Sequence, residues 1–326
     1  MMRYNELMPT AQQEQRRAGW KLFVRPQEVS EFYLSQRNLL LLAHIARYRL
    51  ISSDDLARLD GGSVQNAKRE LRNLWEHGYV VRPAAQLRTV AITGPQPMVY
   101  GLSNKGARLL REHGHLIDLG IDWSENVRRA GIAYIDHSVA RSRFMSAVEV
   151  AARARPDISV IEAPAIVARA PERTQRAKNP LKWTAVIPDD HGRDVSASLI
   201  SDDLFALVSG GERVSHFLVE IDRGQMPVRR NGASAEEIVE GKRRVRTYYK
   251  HKLATYYHGW RQRRHVEQFG TTSARRVETM IDALGDVTPG KGSELFLFID
   301  DETLRSANPL DAIWTSGKGN AVRLTN

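Results

Sequence analysis

Residues 216–224 read His-Phe-Leu-Val-Glu-Ile-Asp-Arg-Gly, an apolar run that ends in two acids. This run predicts a buried strand, and because side chains alternate across a strand, Glu220 and Asp222 share one of its faces. Carboxylates at the end of a buried strand are costly unless a cation or hydrogen bonds compensate them. A divalent metal ion is one such partner, and Arg223 or another base is the other.

A third acid precedes this strand. Asp202 stands at the junction between two predicted strands, Val195–Ile200 and Leu204–Val208. An aspartate before one strand and a glutamate on the next can meet across the hairpin, so we expect Asp202 to lie near Glu220. Two or three such oxygens suit Mg²⁺, which keeps several waters and is shared with substrate phosphate. The sequence therefore predicts a possible Mg²⁺ site formed by Asp202, Glu220 and Asp222.

The spacing of these acids resembles the Asp-x(n)-Glu-x-Lys motif of the PD-(D/E)XK nuclease fold, with Asp222 at the lysine position. A basic segment could supply the missing cation, since residues 242–264 carry nine bases and no acid among interleaved aromatic residues. Lys242 and Lys252 lie on or beside the apolar face of the predicted helix. The other bases either follow a phosphate backbone or form the solvated face of an amphipathic helix. Those selected for DNA contact are Arg243, Arg244, Arg246, Arg261, Arg263 and Arg264.

The N-terminal part predicts a different unit, with the order helix, helix, turn, helix, hairpin, helix over residues 29–120. This is the order of a winged helix-turn-helix. In the helix from Val64 to about His77, the bases lie away from the apolar stripe, so the helix can enter a major groove of DNA. The alternative is a winged helix that makes protein contacts. The candidate DNA-binding residues are Lys68, Arg69, Arg72 and Lys105.

The rest of the chain predicts a second, larger domain. One long helix from Asn126 to Arg153 leads into it, and residues 160–322 alternate strands with helices, which indicates a mixed α/β sheet. The loop Arg169–Lys182 is basic. Residues 1–28 are polar and predict an N-terminal arm, so the expected regions are 1–28, 29–120 and 121–326.

Composition narrows the functional classes. The chain has 326 residues, with 48 Lys and Arg against 38 Asp and Glu, and a net charge of +10 that favours a polyanionic partner. It contains no cysteine, which excludes disulfides, thiolate zinc sites and cysteine nucleophiles. No stretch approaches the roughly 20 apolar residues that span a bilayer, and no signal peptide is evident. We therefore expect a cytoplasmic protein without membrane contact.

Four motifs together resemble the replication-relaxation family of bacterial plasmids and mobile elements, which is similar to the MOBC-type relaxases. They are Ser201–Phe205, Phe217–Pro227, Lys252–Tyr256 and the Thr-Thr-Ser-x-x-Arg turn of Thr271–Arg276. The resemblance implies an α/β (α+β) fold in which a winged helix precedes a restriction-endonuclease-like domain at residues 121–326. It implies double-stranded DNA, at an origin-type site, as the partner, with other replication or mobilisation proteins.

The resemblance also implies a mechanism. Asp202 and Glu220, helped by Asp222, would hold Mg²⁺, while Lys252 or Lys242 would stabilise the transition state of a DNA nick. A second hypothesis is a sequence-specific DNA-binding accessory factor whose nuclease fold is only a scaffold. A third, tyrosine transesterification of the two-histidine type, would use Tyr4 with His113 and His115. The glycine between those histidines favours a turn at a helix end instead.

Overall fold

The computed structural model describes residues 22–87, 96–116, 122–188, 193–211, 213–225, 228, 253, 266–288 and 290–325. The chain divides into two compact units, of which the first ends at Ser146 and the second begins at Ala147. The predicted boundary at residue 120 therefore lies inside the first unit. The predicted arm lies largely outside the described residues.

The first unit combines helices with a small sheet. Three antiparallel strands form this sheet in the order β1-β3-β2. The order of the helices agrees with the prediction for residues 29–120, and the short strand β1 is an addition to it. The elements are α1 Gln36–Tyr48, β1 Leu50–Ser52, α2 Ser53–Asp60, α3 Val64–Glu76, β2 Val80–Val81, β3 Val99–Leu102, α4 Asn104–Glu112 and α5 Trp123–Arg129.

Local signals explain these helix boundaries. The Ser52 hydroxyl accepts the Asp55 N–H at the start of α2, and Ser103 caps α4 in the same way. A serine oxygen in this position satisfies an N–H group that has no partner within the helix. Gly61 follows α2 with φ +71°, a left-handed conformation that glycine adopts without strain. In α3 the buried residues form the stripe that the sequence predicts: Ala67, Leu71, Leu74 and Trp75.

The predicted long helix is two helices, which corrects that prediction. Helix α5 ends at Arg129, and α6 spans Ile132–Arg153. Val127 on α5 and Ile135 on α6 pack into one hydrophobic cluster with Leu50. Both sides of the break thus bury apolar surface against the first sheet, which is why the first unit extends past residue 120.

The second unit is built on a seven-stranded mixed sheet. Its strand order is β12-β11-β10-β9-β8-β7-β4, and β5 with β6 forms a separate two-stranded ribbon. After α6, the elements are β4 Ile158–Glu162, α7 Ala163–Val167, α8 Glu172–Gln175, β5 Lys182–Pro188, β6 Asp194–Ile200, β7 Asp203–Ser209, β8 Arg213–Ile221, β9 Val266–Thr271, α9 Ala274–Val287, β10 Phe296–Asp300, α10 Asp301–Ser306, β11 Trp314–Ser316 and β12 Ala321–Val322.

Strand directions make this sheet mixed, as predicted. Strands β8, β9 and β10 run parallel to one another, whereas β7 is antiparallel to both of its neighbours, β4 and β8. Helix α9 covers one face, where Met280 and Leu284 pack against Leu218 and Phe298 in a common core. Within the described ranges, every helix is too short or too polar to cross a lipid bilayer.

Candidate functional site

The first two predicted acids lie on neighbouring strands. In the antiparallel pairing of β7 with β8, the register begins at Asp203, which is opposite Val219, and Asp202 is the residue just before β7. The Asp202 N–H donates to the Val219 carbonyl at 3.0 Å, and the Ile221 N–H donates to Asp202 Oδ2 at 2.7 Å. Asp202 is thus bonded to the two residues that flank Glu220 on β8. The hairpin thus places both acids at one end of the sheet.

Glu220 is buried, with only 2% of its surface exposed. By alternation it shares its face with Leu218, which belongs to the core beneath α9. Burial of a carboxylate in such a place requires a compensating charge or hydrogen bonds, and Glu220 does have an electrostatic or hydrogen-bonded partner. Glu220 is therefore a buried acid that this end of the sheet has to compensate.

The third predicted acid, Asp222, is held by other residues. Arg276 forms a two-point contact with its carboxylate, in which the Nη2–Oδ1 distance is 2.9 Å, and the Thr271 hydroxyl donates to Oδ2 at 2.7 Å. The Asp222 and Arg276 side chains are 9% and 17% exposed, so the pair is largely buried. Asp222 is thus neutralised by a guanidinium, which is the alternative to a metal ion that the sequence left open.

This contact joins two motifs that are far apart in the sequence. Asp222 belongs to the Phe217–Pro227 motif and directly follows β8. Thr271 and Arg276 belong to the Thr-Thr-Ser-x-x-Arg motif, which leads into α9. The next residue, Arg223, donates to Asp301 at the start of α10 at 3.2 Å. Sequence reasoning missed the roles of Arg276 and Asp301. The motif containing Arg276 was visible, but nothing in it identified its partner.

A site with three acidic ligands is not formed in the described part of the chain. A search of those residues finds no group of three or more His, Asp or Glu that could hold a metal ion. Asp202 and Glu220 remain as an acid pair of hard oxygen ligands. Two carboxylates are compatible with Mg²⁺, which keeps much of its water shell in protein sites.

The basic residues predicted near this site lie outside the described residues. They are Lys242, Lys252, Arg243, Arg244, Arg246, Arg261, Arg263 and Arg264. From the same stretch, Leu253 is described and is fully buried in the core that contains Leu218. That burial is what an apolar face in this stretch requires.

In the first unit, the bases of α3 lie on its exposed side. Arg69 is 66% exposed, and Arg72 is 71% exposed while it donates to Glu76 at 2.7 Å. Lys68 pairs with Asp54 at 2.8 Å, and both side chains are about half exposed. Ion pairs as exposed as these contribute little to stability and can be exchanged for other anions at small cost.

Lys105 is placed differently from the other three predicted DNA-binding residues. Its ammonium donates to the His77 carbonyl at 2.9 Å, just past the end of α3, and lies 4.3 Å from the centre of the Tyr79 ring. A cation near a helix C-terminus is stabilising, because the exposed carbonyl groups make that end of the helix dipole negative. Lys105 therefore stabilises the end of α3 in this structure.

Sequence reasoning also missed two polar residues at the start of α3. Gln65 and Asn66 are exposed and lie within one to two turns of Arg69 and Arg72. Side-chain amides in the first turns of a recognition helix can pair with adenine in the major groove. Both amides are visible in the sequence of this helix, but only its charged residues were selected as DNA-binding candidates.

A desolvated arginine supports the strand that follows α3. Arg82 lies 3.8 Å from the centre of the Trp75 ring, and its Nη2 donates to the Tyr100 hydroxyl at 3.0 Å. Burial lowers the pKa of Arg82, and the same burial raises the pKa of the Tyr100 phenol. The contact fixes β2 and β3 against α3.

The histidine pair considered for transesterification lies at a helix end. His113 is the C-terminal cap of α4, Gly114 has φ +71°, and both histidines are exposed. These features agree with the predicted turn. Tyr4, the proposed nucleophile of that hypothesis, lies outside the described residues.

Comparison with known proteins gives one match. The family model described as Replication-relaxation matches residues 42–263, which is more than half of the chain. No curated protein and no solved structure matches the chain.

Proposed function

The chain belongs to the Replication-relaxation family, and from this premise we propose that it is a DNA-binding protein of plasmid or mobile-element replication or mobilisation that nicks DNA with a divalent metal ion. Its partner is double-stranded DNA at an origin-type site, together with other replication or mobilisation proteins. The first unit binds the site as a winged helix. The second unit is a restriction-endonuclease-like domain that carries the reaction.

The acid pair carries this proposal. Asp202 immediately precedes β7 and bonds to Val219 and Ile221 on either side of Glu220, which is almost completely buried. Two carboxylates held together at the end of a sheet repel each other unless a cation lies between or beside them. That requirement is what a divalent metal ion meets, and a phosphodiester substrate brings further negative charge to the same place.

In the proposed site, Asp202 and Glu220 would hold Mg²⁺, which when bound activates water and neutralises charge on the scissile phosphate. The chain itself positions the carboxylates. The Ile221 N–H holds Oδ2 of Asp202 and so fixes this carboxylate beside the end of β8. Lys252 or Lys242 is the proposed source of positive charge for the transition state. Asp222 has a structural role, because Arg276 and Thr271 already hold it.

Binding of the DNA site is assigned to α3. Its exposed side combines amides with cations, so it can supply both base contacts and phosphate contacts. Gln65 and Asn66 are proposed to read bases, and Arg69 and Arg72 to contact bases or phosphates. Lys68 is a phosphate contact once it leaves Asp54, whereas Lys105 acts indirectly by fixing the end of α3.

The test is a nicking assay on supercoiled plasmid DNA that carries the origin-type site, with Mg²⁺. We expect open circles with the natural chain and none with Asp202→Asn or Glu220→Gln. Both substitutions keep the size of the side chain and remove its negative charge. Asp203→Asn is the matched control, because Asp203 is the adjacent acid and by alternation faces the opposite side of the sheet.

The outcomes separate cleanly. Nicking that persists in both Asp202→Asn and Glu220→Gln would refute the site. Loss of nicking in Asp203→Asn would mean that removal of any acid at this end of the sheet abolishes the activity. Folding of each variant is checked by its thermal unfolding, since Glu220 is buried.

One observation favours a second candidate, a non-catalytic DNA-binding factor with the same fold. The position of the nuclease lysine is occupied by Asp222, and the cation bound there, Arg276, is already neutralised by it. Tight sequence-specific binding without cleavage, with and without Mg²⁺, would select this candidate. The nicking assay therefore decides between the two.

A further inference from the structure

A second group of cations lies in the unit that contains the acid pair. The segment from Arg169 to Lys182, here named the cationic strap, contains five Lys or Arg residues and a single acid, Glu172. Every one of the five is exposed. They are Arg169, Arg173, Arg176, Lys178 and Lys182.

The strap is anchored at both ends to one face of the sheet. Just before it, Ile166 of α7 packs against the core that contains Leu204 and Leu218, and at its other end Leu181 packs against the same core. By strand alternation, Glu220 belongs to this face. Both ends of the strap therefore pack on the side of the sheet to which Glu220 belongs.

The end of the strap also lies beside the chain that carries Asp202. Lys182 is paired with Ile200 at the base of the ribbon, and the Ser201 N–H donates to the Leu181 carbonyl at 3.3 Å. Asp202 is the next residue. Inside the strap, α8 and a bond from the Gln175 side chain to the Ala170 carbonyl at 2.7 Å keep the chain folded back on itself.

The charges of the strap are largely uncompensated. Within the described ranges, Arg176 alone of the five cations pairs with a carboxylate, that of Glu172. Exposed cations without a carboxylate partner are available to an external anion. The far end of the ribbon is different, because the one cation described there, Arg193, is next to Asp194. Positive charge is thus concentrated at the base of the ribbon, next to the acid pair.

We propose that the cationic strap binds the phosphate backbone of duplex DNA and holds it at the end of the sheet where Asp202 and Glu220 lie. This inference rests on the proposed function for the identity of the anion. A run of phosphates fits the strap better than a single small anion, because its cations are spread over fourteen residues. The strap contributes affinity without sequence preference, whereas α3 supplies the preference.

The test removes three strap cations from the full chain with Arg169→Ala, Arg173→Ala and Lys178→Ala. Each neutralised phosphate contributes about −0.9 to the slope of log K against log salt. The slope should therefore become less steep by roughly 2.7 when three cations are removed. Affinity should fall by the same factor for the origin-type duplex and for an unrelated duplex of equal length. Binding is measured without metal and in the Asp202→Asn background, so the result does not depend on nicking.

A matched control removes the same charge at the other end of the second unit. Lys291, Lys318 and Arg323 are exposed residues near β10, β11 and β12, at the opposite edge of the sheet from β7. Their triple alanine variant should keep the slope. An unchanged slope in the strap variant, or equal losses in both variants, would overturn the proposal.

One more outcome would also overturn it. If the strap variant keeps its salt slope but loses self-association in a mass measurement, then the strap binds protein instead of DNA. Failure of the nicking assay leaves all these readouts intact, so the two proposals fail separately.

Discussion

At the scale of single residues, Asp222 shows how a partner far away in the sequence decides a role. Its position after Glu220 suggested a metal ligand, yet its carboxylate is bound by Arg276, which lies in α9. A carboxylate that already accepts from a guanidinium and a hydroxyl gains little from a metal ion. The pair fixes the end of β8 to the first turn of α9.

The role of this pair can be measured with a double-mutant cycle. Asp222→Asn and Arg276→Gln each leave a largely buried charge without its partner, so each should destabilise the second unit by about 3 kcal/mol. The double variant should lose about 1–3 kcal/mol less than the sum. Urea unfolding provides the free energies. Unchanged stability with an increased Mg²⁺ requirement in Asp222→Asn would instead support metal binding by Asp222.

A second residue-scale prediction concerns pH and the first unit. Arg37 donates from Nε to Asp60 at 2.8 Å, and this hydrogen bond lowers the pKa of the Asp60 carboxyl below its ordinary 3.8. A lowered pKa means that the stabilisation is present at neutral pH and is lost as pH falls through the pKa of the folded state. Because a third of the Arg37 side chain is exposed, the contribution is about 1 kcal/mol.

The substitution Asp60→Asn should therefore destabilise α1 and α2 at pH 7, and the difference should shrink below about pH 4. Hydrogen exchange of the α1 and α2 amides follows the effect. Asp54→Asn is the control, because the Asp54–Lys68 pair is exposed on both sides. A difference from the natural chain that stays constant down to pH 3 would contradict the assignment.

At the scale of elements, α4 depends on close contact between backbones. A Cβ placed on Gly106 would lie 2.3 Å from the Tyr79 carbonyl oxygen, so no other residue fits without a shift of the chain. This contact, together with the Ser103 hydroxyl 2.7 Å from the Gly78 carbonyl, holds α4 against the end of α3. Packing thus explains the glycine in the Leu-Ser-x-Lys-Gly sequence at the start of α4.

We expect Gly106→Ala to destabilise the first unit by about 1–3 kcal/mol, because overpacking outweighs the better helix propensity of alanine. Thermal unfolding measures it. Gly131→Ala is the control, because its added Cβ meets no atom within 4 Å and its backbone is not left-handed. A Gly106→Ala variant as stable as Gly131→Ala would show that the chain relaxes around the methyl group.

Elements were predicted well where the signal is local. The strands β7 and β8 and the stripe of α3 follow from alternation or helical spacing within ten to fifteen residues. The break between α5 and α6 was missed, since Ala130 and Gly131 do not interrupt the apolar pattern. Strands β11 and β12, at one end of the sheet, were also missed, because they are too short to carry a periodicity of their own.

At the scale of the whole molecule, sequence-specific binding is assigned to the first unit and nicking to the second, and this separation is testable. Arg69→Ala with Arg72→Ala should weaken duplex binding by about tenfold or more, at roughly 1–3 kcal/mol per lost base contact. Asp202→Asn should leave the affinity within about twofold, because it lies outside α3. Fluorescence anisotropy measures both. If Asp202→Asn weakens metal-free binding as much as the arginine variant, the two roles are not separate.

The sequence by itself determined the family, the mixed α/β class, the helix order of the first unit and the hairpin that carries Asp202 and Glu220. All of these depend on patterns that neighbouring residues generate. Only the tertiary structure decided that Asp222 pairs with Arg276, that Lys105 caps α3 and that the first unit reaches Ser146. The reason is physical: the partner of a charge is chosen by which distant segments pack together, and that packing leaves no local periodicity to read.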